Sequence, residues 1–553
     1  MMFAPSRPLL LLLCFGWALI NFVDYTIAPD PNPAAADAFP YTFSLETSGH
    51  ANTLFKDVIA SKEVNFQECP DYPMHSVVGD MAGSAKYLAE CWLSIQPLDH
   101  LDPTDTRTIN IAVSRLPPLT GINEAHPLWK GFVYFDFGGP GSSTIVDGWQ
   151  STSDMYALFQ YHTIILRDIR GVGASGPETN CWSNVWDEQI HYQTNYEDSG
   201  SMLNGGVMAA ERYRKTWMDF ADRCTKKLGG KHGILKHIGL AAHARDLVSI
   251  HGALCEHYNV PLSSDKVLMN FWGVSWGGTL GHTIANMYPN GVGRTSLTHS
   301  DFVSCGGHFL PSKLDCSIPN AAAKHRGWDP HLKHLVGNLT VWKDQLANIQ
   351  DETTTASDAA AAAAQFPSFG LVDRTALQRG AASAWRRPND SERPQGWTGY
   401  AGWLIRCADA ETFGLEDPSA AGIYSLFQKA RLISPIGAEQ RASRWLSCIG
   451  FGSEDKSKEK ILAPSTPIKT KNPVLITGLL YDPICPQRNA QGEPYGVKHY
   501  EEAHYLEIAG AGHGVRSHLH WVEKYKATLR EYLTNAVVPR VRETTTVSTI
   551  QPF

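Results

Sequence analysis

Three short stretches of this chain are built around apolar runs and each stops at a glycine-bearing turn: "GFVYFDF" (Gly131 to Phe137), "HTIILRD" (His162 to Asp168) and "KVLMNFWG" (Lys266 to Gly273). A strand that does not alternate polar and apolar residues is buried on both faces, which is the habit of a parallel sheet covered by helices on either side. The β-rich "TINIAVSRL" (Thr108 to Leu116) precedes them. Helical patterns lie between and after them, with apolar residues at three- and four-residue steps over Val207 to Gly229 and His243 to Tyr258. The segment "GGTLGHTIANMYP" reads as a further helix, ended by Pro289. This strand–helix alternation predicts an α/β fold built on a doubly wound, mostly parallel sheet.

The alternation is interrupted. From about residue 306 to 468 strand signals vanish, and tryptophans and short helical segments take over, with a six-alanine tract at Ala359 to Ala364. The α/β pattern resumes with "NPVLITGLLYDP" (Asn472 to Pro483) and "HYLEIAGAGHG" (His504 to Gly514), and closes on a helix over about His518 to Leu533. The expected organisation is therefore a leader over 1–30, a linker and N-terminal extension over 31–105, core over 106–305, a helical insertion over 306–468, the rest of the core over 469–537, and a tail over 538–553. No internal repeat is visible.

The leader has Arg7 followed by an apolar run from Leu9 to Val23. That run is short for a membrane span and suits the apolar region of a secretory signal peptide, with a retained signal anchor as the alternative. Eleven cysteines agree with an oxidising compartment. None stands in a CxxC. Setting aside Cys14 in the leader, Cys69 with Cys91 and Cys407 with Cys448 are the favoured pairs, while Cys255 and Cys485 are candidates for free, buried thiols. Asn338 and Asn389 open N-glycosylation sequons. With a net charge of −7, no basic surface points to nucleic acid. A membrane partner is expected only if the leader is kept, and no metal or other cofactor is expected.

The chemistry is carried by Gly273-Val274-Ser275-Trp276-Gly277. The bare motif is common. Here, however, it follows an apolar strand and opens a helix, as a nucleophile elbow must. Serine needs a base, and in this fold the partners follow in the order serine, acid, histidine. Asp482 stands after the strand signal "VLITGLLY", and His513 stands in "GAGHG" after the next. The predicted oxyanion donors are the backbone N–H of Trp276 and that of Gly139, because Pro140 in "FGGPG" has none. Asp168 and Arg170, in "RDIRGVGASG", are read as a structural ion pair bracing that loop.

Together these residues resemble the tripeptidyl-aminopeptidase/proline-iminopeptidase family of α/β-hydrolases. "GGPGSS", "DIRGVGASG", "GVSWGG", "DPICP" and "GAGHG" occur in the family's order, over about Cys69 to Pro539. The resemblance implies a helical cap, over about 306 to 468, above a pocket for peptides with a free N-terminus, whose amine is held by cap carboxylates. Asp409, Glu411 and Glu416 are candidates by location alone. Iminopeptidases carry histidine where this chain has Phe137, which points toward the tripeptidyl branch. "HSDFVS" also departs from the usual stretch at the cap entrance.

Three readings follow. The first is an exported serine peptidase acting on short peptides. The second is an esterase or amidase of the same fold acting on a small natural product. The third is a binding protein that keeps the fold without catalysis.

Overall fold

The computed structural model describes residues 55, 57–69, 89–119, 121–182, 191, 202–261, 263–298, 401–410, 418–433, 446–459, 466–481, 497–511, 523–535 and 545–546. Among the described residues eleven strands form one sheet: β1 (Ala60–Ser61), β2 (Gln67–Glu68), β3 (Glu90–Pro97), β4 (Thr108–Leu116), β5 (Phe132–Asp136), β6 (Thr163–Arg167), β7 (Met269–Gly273), β8 (Val292–Thr298), β9 (Val474–Tyr481), β10 (Ala503–Ala511) and β11 (Thr545–Thr546). The helices among the described residues include α1 (Thr144–Gln150), α2 (Thr152–Leu158), α3 (Met202–Leu228), α4 (Leu240–His257), α5 (Trp276–Met287), α6 (Ala401–Asp409), α7 (Ala420–Ile433) and α8 (Glu523–Asn535).

Across the sheet the strands run β1-β3-β4-β6-β5-β7-β8-β9-β10-β11, with β2 attached to β3. β4 lies antiparallel to both β3 and β6, and from β6 to β11 every pairing is parallel. An antiparallel strand near one edge, the crossover that places β6 outside β5, and a helix entered directly from central β7 make this the α/β-hydrolase fold. The largely apolar runs behave as their composition requires. Every residue of β5, β6 and β7 is buried, because helices cover both faces of the parallel part.

Two departures from the sequence reading have a physical cause. Glu90–Pro97 falls in the stretch assigned to an N-terminal extension, yet β3 pairs with β4 along its whole length. Its sequence "ECWLSIQP" alternates in burial, so it gives no continuous apolar run. β8, "VGRTSLT", is likewise a full member of the parallel sheet, but its polar residues hide it. Thr545–Thr546, in the predicted tail, adds a short last strand to β10.

Both favoured disulfides are present, Cys69–Cys91 and Cys407–Cys448, together with Cys181–Cys224. Cys255 is free and buried. Cys485 lies outside the described residues, as do the leader and residues 299–400 of the predicted core end and cap. The described part of the segment expected to form a cap carries α6 and α7. No helix among the described residues is long and apolar enough to cross a membrane.

Candidate active site

β7 ends at Gly273 and α5 begins at Trp276, so the chain must reverse direction within two residues. Ser275 absorbs the turn with φ 56° and ψ −126°. A non-glycine residue at positive φ costs on the order of 1–3 kcal/mol and persists only where its surroundings hold it. The surroundings here are two close backbone approaches. A Cβ at Gly273 would lie 2.2 Å from the Gly277 carbonyl oxygen, and a Cβ at Gly277 would lie 2.2 Å from the Asp136 carbonyl oxygen. Both flanks must therefore be glycine. Val274 and Trp276 are buried, whereas Ser275 between them is partly exposed. The turn thus lifts one hydroxyl-bearing residue out of a buried strand end.

The loop after β5 lies against this turn. Asp136 is paired in register with Gly273, and its carbonyl accepts the Val274 N–H at 2.9 Å. A Cβ on Gly138 would come within 2.8 Å of the Trp276 nitrogen and 2.9 Å of the Ser275 Cβ. The Gly138 N–H is already used, since it donates to Asp136 Oδ1 at 2.9 Å. The next amide, that of exposed Gly139, and the Trp276 amide donate no hydrogen bond among the described residues. Trp276 is also the first residue of α5, where the helix dipole favours negative charge. Two backbone donors beside a projecting serine can stabilise an oxyanion.

Asp136 is buried, and burial pushes its carboxyl from the ordinary 3.8 up to about 7, against the opposing pull of the Arg167 charge. Arg167 is itself buried and donates to the His243 carbonyl at 3.0 Å. The His243 ring packs edge-on to Trp276 with centroids 5.7 Å apart. From the cap region, Arg406 Nη2 donates to the Gly139 carbonyl at 2.7 Å.

Asp168 and Arg170 do not pair with each other. Asp168 accepts from the Ser143 hydroxyl at 2.9 Å, from the Ile145 N–H at 3.1 Å and from the Ala174 N–H at 3.0 Å. Ser143 in turn caps α1, the helix that leaves the glycine loop. Burial raises the Asp168 carboxyl to about 6 despite these donors. Arg170, fully buried, makes a two-pronged ion pair with Asp246 at 2.7 Å for each bond, and it also donates to the carbonyls of Pro97, Leu98 and His237. Burial works to raise the Asp246 carboxyl, but Arg170 and the hydrogen-bonded His100 together more than offset it and hold the group below its ordinary range. The expected ion pair is therefore two separate anchors. Residues two apart on a strongly turning loop face different neighbours, and sequence proximity concealed that.

Asp409 is the one amine-binding candidate within the described residues. Its Oδ2 accepts the Leu240 N–H at 2.9 Å and its Oδ1 accepts the Ser457 hydroxyl at 2.9 Å. The carboxylate thus ties α6 to the start of α4, satisfying an otherwise open helix amide. Glu411, Glu416, Asp482, His513, Asn338 and Asn389 lie outside the described residues. One further group, Asp99, Asp105 and His237, has potential ligand atoms within 4.8 Å of one another. Each of its carboxylates already faces a cation, Lys458 at Asp99 and Arg107 at Asp105, which disfavours a metal there.

Sequence reasoning missed three residues around the site: Asp136, Asp246 and Arg406. Asp136 had a signal, an acid inside an otherwise apolar strand. Asp246 had a weaker one, an acid on the buried face of an amphipathic helix. Arg406 had none.

No protein-family model and no curated protein matches the chain. Among solved structures it is similar to a hydrolase from Pseudomonas aeruginosa PA01, at 12% identity and TM-score 0.30, covering 80% of this chain and 98% of that one. It is similar to a proline iminopeptidase from Mycobacterium smegmatis at 14% identity and TM-score 0.29, covering 80% and 97%. It is also similar to a thermophilic esterase from Thermogutta terrifontis at 12% identity and TM-score 0.29, covering 78% and 95%. Likenesses this distant leave the chemistry to the residues of the site.

Proposed function

We propose that this chain is an exported serine hydrolase of the aminopeptidase type, removing short peptides or residues from a free N-terminus. The observation that carries the reading is Ser275 at positive φ between a buried strand and a helix, beside two backbone amides without a described acceptor. The three disulfides among the described residues support passage through an oxidising compartment, and N-terminal sequencing of secreted protein tests removal of the leader.

In this mechanism the Ser275 hydroxyl attacks the scissile carbonyl and His513 takes its proton. Asp482 fixes the imidazole tautomer, and the amides of Gly139 and Trp276 receive the oxyanion. His513 then protonates the leaving amine, and water repeats the sequence on the acyl-enzyme. Chain order supports the partners. β9 and β10 run parallel to the sheet's central strands, and Asp482 and His513 follow their C-terminal residues in sequence, at one and two positions beyond Tyr481 and Ala511.

A second reading, an esterase or amidase for a small natural product, is favoured by one observation. Asp409, a candidate for holding the substrate amine, already has each carboxylate oxygen engaged, by the Leu240 N–H of α4 and by the Ser457 hydroxyl. A panel of aminoacyl- and tripeptidyl-anilides against short acyl esters, with Ser275→Ala as control, separates the two. Cleavage of anilides that requires a free amine supports the peptidase. Cleavage of esters alone sinks it, and turnover undiminished in Ser275→Ala sinks both.

A further inference from the structure

We propose that Arg406, carried by α6 of the cap region, is a positioning residue for the oxyanion donor at Gly139, so that the cap helps to build the catalytic centre and does not merely cover it. The inference rests on the serine-hydrolase reading above.

The loop Gly138-Gly139-Pro140-Gly141 contains three glycines, whose backbones have more conformations to lose than any other residue. Something outside the loop must hold it if the Gly139 N–H is to point at one place. Two side chains do so from opposite ends. Upstream, Asp136 Oδ1 accepts the Gly138 N–H at 2.9 Å. Downstream, Arg406 Nη2 donates to the Gly139 carbonyl at 2.7 Å. The peptide unit between them is the one that carries the Gly139 N–H. Its orientation is therefore fixed on both sides, with the second tie coming from a segment more than 260 residues away, as the sequence separation of 267 shows.

Three observations indicate that Arg406 is aimed, not accidental. A Cβ on Gly402 would lie 2.0 Å from the Pro140 carbonyl oxygen, so the first turn of α6 meets the same loop backbone to backbone. Gly402 and Arg406 are four apart and share one helix face. The guanidinium lies over the Trp403 ring at 5.0 Å, and Trp403 packs on Trp217 of α3 at 5.1 Å between centroids. The next residue, Cys407, is bonded to Cys448. Helix, stacking and disulfide thus converge on the side chain that holds the loop.

The test uses the full-length protein with Arg406→Ala and Arg406→Lys. End-point labelling of Ser275 by a tagged fluorophosphonate counts competent sites. kcat and KM are measured on whichever anilide or ester the wild type turns over, and a peptide aldehyde reports stabilisation of a tetrahedral oxyanion. In Arg406→Ala, kcat should fall roughly 10- to 100-fold, short of the loss expected on deleting a donor outright. KM should change by less than about threefold, since the loss belongs to the transition state. Aldehyde affinity should weaken in step with kcat while the labelled fraction stays complete. Arg406→Lys, which keeps a cationic donor, should recover part of kcat. The inference is overturned if Arg406→Ala keeps its kcat, if KM alone rises, or if kcat falls only as far as the labelled fraction does. Absence of labelling in the wild type would instead remove the serine-hydrolase reading itself.

Discussion

The same substitution, glycine to alanine, should have opposite effects at two helical positions of this molecule. Gly252 sits on the exposed face of α4, and a Cβ there would meet nothing within 4 Å. Gly252→Ala removes backbone freedom from the unfolded chain and should stabilise by about 0.5–1 kcal/mol. Gly277 sits in the first turn of α5, and its Cβ would lie 2.2 Å from the Asp136 carbonyl oxygen and 2.8 Å from the Asp136 carboxylate. Relief needs a separation of about an ångström more, and the atom in the way is backbone. Overpacking of this kind costs about 1–3 kcal/mol, which outweighs the helix-propensity gain of at most about 1 kcal/mol. The strand end that must move carries the loop to Gly139. A displacement of about 1 Å at a reacting centre can cost about 100-fold, or roughly 2.7 kcal/mol of barrier. Urea unfolding followed by tryptophan fluorescence measures the first quantity, and the rate of Ser275 labelling by a fluorophosphonate measures the second. A Gly277→Ala protein as stable and as reactive as the wild type would refute the packing argument. So would a Gly252→Ala protein destabilised to the same degree.

Other perturbations test other parts of the site. Burial keeps Asp136 protonated in the folded state up to about pH 7 while the unfolded chain ionises it from 3.8 upward. Its contribution to stability is therefore whole below about pH 4, declines as pH rises to 7, and amounts to about 4 kcal/mol by linkage. Asp136→Asn, whose amide oxygen can still accept the Gly138 N–H, should flatten the stability profile between pH 4 and 7; an unchanged slope contradicts the assignment. Asp246→Asn leaves the Arg170 guanidinium buried without its counter-charge and should cost about 3–5 kcal/mol in urea unfolding, a figure that a loss under 1 kcal/mol would disprove. Replacing Cys407 and Cys448 together by serine opens a loop of sequence separation 41. By chain entropy this removes about 4 kcal/mol, and thermal unfolding of the double variant with and without reductant should show the loss only relative to the oxidised wild type.

The parts of the fold legible in the sequence were those in which one strand carries one environment. β5, β6 and β7 are buried on both faces, so their composition alone announced them. β3 was passed over because its alternating residues, the pattern of a half-buried strand, give no continuous apolar run like those of β5 to β7, and β8 was hidden by its polar residues. The elbow was legible because the turn needs small flanks, and only glycine satisfies contacts of 2.2 Å. The bond of Asp409 to the Leu240 amide was not legible, because position in the sequence does not say which way a carboxylate points. Arg406 could not be read because its partner is a backbone carbonyl, which every residue possesses.

The glycines packed around Ser275 have a consequence for anyone who wishes to change what the molecule accepts. At Gly138, Gly273, Gly277 and Gly402 a single added carbon would strike main-chain atoms at 2.0–2.6 Å. These four backbone positions therefore have no room for mutational diversity. Libraries that randomise them will return mostly misfolded protein, and new selectivity has to be sought at other positions.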